Sequence, residues 1–194
     1  MKRMILALAI LVTPGVAFGG TLFPGYIESG GYGAASAEFT QLGDGEMGFF
    51  LGGGGGLVLN GQFLVGADLS ILANDIEYRT GDGDDRFIEF TKANLNFSWV
   101  LWPEVIVHPA LTLSGGMGWL RLRNPNKAID ETDPDADTVF QAQPMVHLVL
   151  NLTSSTRVAV SGGYRWVGGV NTEGFRDQDA EGAFTTISFV FGAF

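Results

Sequence analysis

Two histidines, His108 and His147, are the residues of this sequence best suited to acid–base chemistry. A serine hydrolase needs a histidine that contacts a serine and is oriented by an acid. His108 follows a short turn signal and precedes Pro109, His147 lies within an alternating apolar run, and neither has a serine two residues further along. The sequence therefore predicts no catalytic residue at either histidine.

A run of carboxylates offers a second kind of chemistry, the binding of a divalent cation. Calcium prefers oxygen ligands, and an EF-hand loop adds a glycine at its turn and a glutamate at its twelfth position. Both features are missing here, so the run is a weak metal candidate, and a solvated loop of like charges is the simpler interpretation. No cofactor is predicted. The carboxylates are Asp130, Glu131, Asp133, Asp135 and Asp137.

Consecutive glycines at 52–56 resemble a phosphate-binding loop in composition only. Such a loop requires a following Lys-Ser or Lys-Thr pair and the N-terminus of a helix. Leu57 and Val58 follow instead. We expect these glycines to lie in a strand, where the missing side chains permit close packing and sharp curvature.

The composition of the chain excludes several functional classes. Its 194 residues suit one domain. Glycine accounts for 29 residues, 46% are hydrophobic and only 16% are charged, which is too apolar for a disordered chain. The excess of 21 acids over 11 bases argues against nucleic acid as a partner. The absence of cysteine excludes disulfides, thiolate zinc sites and cysteine nucleophiles.

The first residues are typical of an export signal. Lys2 and Arg3 precede an uncharged apolar run at 4–12, and small residues follow it. The run is about half the ~20 residues that a spanning helix needs, so a membrane anchor is the weaker alternative. We expect a signal peptide at 1–19 and a single domain at 20–194, and removal of the two bases changes the formal charge from −10 to −12.

Alternating apolar and polar residues dominate the rest of the chain. Along 86–102, one set of alternate positions is mostly apolar, whereas the other holds Lys92, Asn94 and Asn96 near its centre. A period of two over such lengths indicates β-strands rather than helices. The pattern recurs and predicts eight strands, at 31–40, 46–59, 62–72, 86–102, 106–122, 138–152, 157–167 and 183–194.

The connections between these strands alternate in length, with short turns at one end and mostly long loops at the other. This arrangement is typical of a transmembrane β-barrel. The predicted fold is therefore all-β, an eight-stranded antiparallel up-and-down transmembrane β-barrel with both termini on the periplasmic side. The short turns are 60–61, 103–105 and 153–156, and the long loops are 73–85, 123–137 and 168–182.

A soluble, lipocalin-like barrel is the alternative, but it would carry its apolar residues inside and its polar residues outside. Here one face of the strands is apolar, with aromatic residues near the strand ends, and the other face has a polar centre. A lipid-facing exterior with an aromatic belt at each interface explains both features. The aromatic residues expected in these belts include Trp99, Trp119, Tyr164, Trp166, Phe189 and Phe191.

The signal sequence, the alternating strands and the terminal Phe194 together resemble the small outer-membrane barrels typified by the OmpA transmembrane domain and OmpX. Segments 52–60, 161–170 and 187–194 are also similar to an uncharacterised family of small bacterial outer-membrane barrel proteins. The resemblance implies a bacterial outer-membrane location after Sec export and recognition of Phe194 by the barrel assembly machinery. This ending departs from the usual pattern, because its other aromatic residues lie in the opposite phase from Phe194. The resemblance implies no activity.

Eight strands enclose an interior that side chains can fill, so the polar alternate positions are expected to form a packed lumen. Buried charges must be paired, and we expect an acidic member of the lumen to meet Lys92 or Arg165. A polar plug is the preferred interpretation, and a narrow gated channel is the alternative. The predicted lumen cluster is Glu38, Glu46, Asp68, Lys92, Asn94, Asn96, His108, Gln141, Gln143, His147 and Arg165.

Three long loops hold 14 of the 21 acidic residues. We therefore predict a monomeric, non-enzymatic barrel that spans the outer membrane and displays acidic loops, in a structural or surface-display role. Its expected surroundings are membrane lipid and lipopolysaccharide. Divalent cations that bridge the loop carboxylates to anionic lipopolysaccharide are the alternative to a solvated loop of like charges. A small-solute channel and a lipid-modifying enzyme are the alternatives.

Overall fold

The computed structural model describes residues 28–43, 45–79, 85–123, 136–172 and 174–194. Within these residues, nine strands form one antiparallel sheet, and a single short helix lies between the last two strands. The elements are β1 (Ser29–Leu42), β2 (Glu46–Leu59), β3 (Phe63–Leu72), β4 (Glu77–Arg79), β5 (Asp85–Val100), β6 (Val107–Arg123), β7 (Asp137–Asn151), β8 (Thr156–Gly168), α1 (Asp177–Ala180) and β9 (Gly182–Gly192).

The sheet closes on itself through the pairing of β3 with β5, from Phe63 opposite Trp99 to Ile71 opposite Thr91. The three-residue strand β4 pairs with the beginning of the same strand β5. β3 and β4 are therefore two parts of one interrupted strand, and the molecule is a closed eight-stranded antiparallel β-barrel. This confirms the predicted fold class.

The eight predicted strands all exist, with bounds that differ from the predicted ones by at most two residues. β4 and α1 lie in segments that the sequence pattern assigned to loops. The expected signal peptide at 1–19 lies outside the described residues. Within the described part of the chain, no helix has the length and apolarity needed to cross a bilayer.

Side chains on the two faces of the barrel differ as the alternation predicts. Outward positions along β5 and β7 carry large apolar residues, and Leu95 and Phe140 are 72% and 63% exposed. Inward positions on the same strands include Lys92 and Gln143, which are 1% and 3% exposed. The apolar surface of this barrel therefore faces its surroundings, and the polar groups lie in the lumen.

Glycines in β2 allow its neighbours to approach closely. A Cβ atom placed on Gly54 would lie 2.8 Å from the Cα of Asp68 on β3, a distance that side chains do not tolerate. A Cβ atom on Gly66 would overlap the hydroxyl of Tyr32, so this tyrosine lies over the space that the glycine leaves. The glycine run is thus part of a strand, and its missing side chains let β1, β2 and β3 pack tightly.

Replacement of Gly54 by alanine should destabilise the barrel by about 1–3 kcal/mol, because the added methyl group overpacks the β2–β3 contact. The matched control is Gly33→Ala on β1, where the nearest atom to a new Cβ is 3.9 Å away, and its effect should stay within about 0.5 kcal/mol. Urea unfolding in detergent micelles measures both. Equal losses in the two variants would contradict this account of the glycine run.

Candidate functional site in the barrel lumen

Glu38 of β1 lies between two buried cations in the middle of the lumen. Lys92 Nζ and Arg165 Nη1 both donate hydrogen bonds to Glu38 Oε1, at 2.6 and 2.9 Å. The side chains of Lys92 and Arg165 are 1% and 0% exposed. We call these three residues the central triad. The sequence predicts that an acidic lumen residue meets Lys92 or Arg165, and Glu38 contacts both.

Further contacts hold the two cations of the triad in place. Arg165 Nε donates to the carbonyl oxygen of Ala180 at 2.9 Å, and Arg165 Nη2 donates to Thr40 Oγ1 at 3.3 Å. Lys92 Nζ lies 4.0 Å from the centroid of the Phe50 ring. Because cations are attracted to the face of an aromatic ring, Phe50 adds to the stabilisation of Lys92.

Amide side chains of β5 and β7 form a second hydrogen-bonded group in the lumen. Asp68 accepts hydrogen bonds from Asn94 Nδ2 at 3.2 Å and Asn96 Nδ2 at 2.6 Å. Gln141 Nε2 donates to Asn94 Oδ1 at 2.7 Å, and Gln143 Nε2 donates to Gln141 Oε1 at 3.1 Å. The middle of the lumen is thus filled by a hydrogen-bonded polar layer, as the alternating pattern predicts.

An apolar cluster fills the lumen at the long-loop end, above the central triad. Phe50 and Phe90 meet edge to face at its base, with ring centroids 5.6 Å apart. Sequence reasoning anticipated a polar lumen and missed this layer, although inward apolar residues near the long-loop ends of the strands were the available signal. Its members are Leu42, Phe50, Ile76, Tyr78, Ile88, Phe90, Leu120, Leu122, Val139, Val167, Phe175 and Ala180.

Residues 174–181, which we call the cap, fold across this end of the barrel. The ring of Phe175 packs edge to face on that of Tyr78, with centroids 4.9 Å apart, and Tyr78 Oη donates to the carbonyl oxygen of Gly174 at 2.7 Å. The backbone N–H of Gly43 donates to the carbonyl oxygen of Asp179 at 2.7 Å. The lumen is therefore sealed at the long-loop end.

A cavity of about 180 Å³ lies between the central triad and the short-turn end. Asp68, Asn96, His147 and Arg157 are among the polar side chains that line it. A small apolar cluster lies at the short-turn end of the lumen. Its members are Val100, Ala110, Val149 and Ala159, with Leu64 packed against them.

The two histidines lie apart from the central triad. His108 is 1% exposed, and its Nδ1 is 2.9 Å from the carbonyl oxygen of Val105. His147 lines the cavity. Within the described residues, the Nε2 atom of each histidine is buried without a hydrogen-bond partner, and neither histidine bonds to a serine hydroxyl.

Two acidic residues lie where the predictions did not put them. Glu46 does not join the lumen cluster, because it lies at the hairpin end of β2 and its side chain is exposed. Asp137 Oδ2 accepts hydrogen bonds from the backbone N–H of Asn171, at 2.9 Å, and from the hydroxyl of Thr172, so this carboxylate joins the start of β7 to the loop that follows β8. Among the described residues, no group of three or more histidines and acids could hold a metal ion. The remaining candidate ligands Asp130, Glu131, Asp133 and Asp135 lie outside the described residues.

The predicted belt aromatics lie on the outer surface, in two groups at opposite ends of the strands. Trp119, Tyr164 and Trp166 lie near the long-loop end, and Trp99, Phe189 and Phe191 near the short-turn end. Their side chains are between 39% and 51% exposed. The terminal Phe194 differs from them, because its ring lies 3.7 Å from the guanidinium carbon of Arg157 and lines the lumen cavity.

Comparison with known proteins supports the fold. The chain is similar to the crystal structure of Neisserial surface protein A (NspA), with a TM-score of 0.61 and 12% identity over 87% of this chain and 99% of that chain. It is also similar to the N-terminal β-barrel domain of Pseudomonas aeruginosa OprF, with a TM-score of 0.55 and 10% identity over 86% of this chain and 99% of that chain. No family model and no curated protein sequence matches. The predicted resemblance to small OmpA-like barrels is confirmed at the level of the fold.

Replacement of Glu38 by glutamine should lower the free energy of unfolding by about 3–5 kcal/mol, because it leaves two buried cations without their shared carboxylate. The matched control is Glu89→Gln, since Glu89 pairs with Arg123 at 2.9 Å on the surface and is 48% exposed. Loss of such an exposed pair should cost about 1 kcal/mol or less. Urea unfolding in detergent micelles compares the two variants. A Glu38→Gln protein as stable as the wild type would contradict the role assigned to the central triad.

Proposed function

We propose that this protein is a non-enzymatic outer-membrane β-barrel with a closed lumen, whose role is structural or the display of its long loops at the cell surface. The observation that carries this proposal is the sealed lumen beneath the cap. In such a barrel, the long-loop end faces outward from the cell and the short-turn end faces the periplasm.

The outer surface supports a location within a membrane. Soluble monomers rarely expose large contiguous apolar patches, whereas this barrel exposes apolar side chains on every spanning strand, with Leu95 at 72% and Leu148 at 59%. Lipid tails solvate such a surface, and the two groups of aromatic side chains suit its two interfaces. Export through the Sec signal at 1–19, recognition of Phe194 by the assembly machinery and a monomeric state belong to the same proposal.

The interior favours a closed barrel over a small-solute channel. A solute that entered from the long-loop end would meet the cap, then Phe50 and Phe90, and then the central triad. The transfer of an ion through such an apolar layer costs free energy, because buried apolar groups cannot replace the water molecules that hydrate the ion. Lipid-modifying chemistry is disfavoured for a separate reason, since neither His108 nor His147 has a serine partner or faces the lipid among the described residues.

The long-loop end supports the display role. Its described rim carries exposed charges of both signs, including Asp75, which is 81% exposed and lies 4.0 Å from Arg123. Carboxylates at the long-loop end of the barrel can bind divalent cations, and these cations would bridge the carboxylates to lipopolysaccharide phosphates. The acidic side chains of the cap help to hold it on the barrel, because Asp177 and Glu181 accept hydrogen bonds from the backbone N–H groups of Val170 and Val167, at 2.9 and 3.4 Å. Arg176, whose side chain is 76% exposed, presents its charge to solvent.

The native protein should migrate faster on a gel before heating than after heating, because an intact barrel resists unfolding by detergent. It should also partition with outer membranes after cell fractionation. Soluble protein whose mobility does not change on heating would contradict the proposed location and the membrane barrel together.

In planar bilayers, the wild-type protein should give no steady conductance, because the lumen is sealed. Lys92→Ala should destabilise the barrel or let it leak without ion selectivity, and Arg176→Ala, at a side chain that is 76% exposed, should behave as the wild type. Steady conductance in the wild type, with a selectivity that changes in Lys92→Ala, would favour the channel instead.

A further inference from the structure

Arg157 is a buried cation that lacks a carboxylate. It is the second residue of β8, at the periplasmic end, and is 8% exposed. In the described part of the chain, no ion pair or hydrogen bond joins its side chain to another residue. Its guanidinium lies instead over the ring of Phe194. Lys92 and Arg165, by contrast, share Glu38.

The carboxylates that line the cavity with Arg157 are already engaged by other residues. Glu38 and Asp68 are these carboxylates. Glu38 binds Lys92 and Arg165, and Asp68 accepts hydrogen bonds from two neutral amides. A guanidinium that has no bonded anion in a narrow barrel is costly, so the region around Arg157 favours an additional negative charge.

The geometry of Arg157 leaves its hydrogen-bonding edge available. The Phe194 ring covers one face of the guanidinium, at 3.7 Å, whereas the N–H groups point outward in the plane of that group. A stacked guanidinium is therefore held in orientation while its donors can grip an anion with two parallel hydrogen bonds.

The surrounding space also suits a small ligand. The cavity of about 180 Å³ includes Arg157 in its lining, and its volume is well above the ~10–15 Å³ that a single water molecule requires. His147 lines the same cavity, and its Nε2 atom has no partner. Phe194 follows the last residue of β9 by two positions, so it can move aside without breaking the ladder.

We propose that the Arg157 end of the lumen cavity binds a small inorganic oxyanion of the phosphate class, which enters from the periplasmic side beside Phe194. This site is independent of the display role, because it lies on the other side of the central triad from the loops. Its occupant supplies the bonded anion that Arg157 lacks among the described residues.

Titration with inorganic phosphate at constant ionic strength tests the site, using protein purified in a maltoside detergent, which has no phosphate headgroup. Calorimetry should show saturable binding to the wild type. Arg157→Gln should weaken binding roughly tenfold or more, the cost of a lost charge-assisted hydrogen bond. Arg176→Gln, at the exposed arginine of the cap, should bind as the wild type. Absence of saturable binding to the wild type, or equal binding to Arg157→Gln, overturns the proposal.

A further measurement covers a variant that does not fold. If Arg157→Gln does not fold, the Nε–H resonance of Arg157 in the ¹⁵N-labelled wild type should still shift on addition of phosphate, and an unchanged resonance overturns the proposal.

Discussion

Closure of the sheet by the β3–β5 ladder is the constraint on which the rest of this structure depends. A strand edge in a bilayer has no water to pair with, so a spanning sheet must close. Closure with eight strands leaves an interior only wide enough for side chains. The inward positions of such a barrel are filled or kept small, which accounts for the bulky Phe50 and Phe90 and for Gly52, Gly54 and Gly56, which share the inward phase of Phe50 on β2.

The central triad joins strands that do not touch in the sheet. β1 pairs with β2 and β9, yet Glu38 on β1 binds Lys92 on β5 and Arg165 on β8. A shift of any one of these strands by one residue would turn its charged side chain toward lipid. Backbone ladders hold neighbouring strands together, and the triad adds a specific register between distant ones. Its value lies in this specificity more than in net stability, because desolvation offsets much of the attraction between buried charges.

The period-two alternation predicted most of the fold, because lipid outside the barrel and a packed lumen inside it impose opposite preferences on successive residues. It placed Lys92, Arg165 and Glu38 inside correctly for that reason. The same reasoning placed Glu46 in the lumen wrongly, because alternation no longer separates inward from outward positions at the hairpin end of β2, where the strand leaves the barrel. It also gave no sign of the cap or of β4, whose contacts are irregular and long-range. Phe175 and Val170, apolar residues in an otherwise acidic loop, were the only local hint that this loop folds inward.

Arg165 connects the cap at the long-loop end to the central triad. One guanidinium donates to Glu38 in the triad, to Thr40 on β1 and to the carbonyl oxygen of Ala180 in the cap. A lysine could not serve three acceptors in these fixed directions, because its ammonium lacks the planar fork of arginine. The cap is held by its acidic side chains as well, because Asp177 and Glu181 accept hydrogen bonds from the backbone N–H groups of Val170 and Val167. The seal at the long-loop end therefore depends on the polar side chains of this loop as much as on the apolar Phe175 and Ala180.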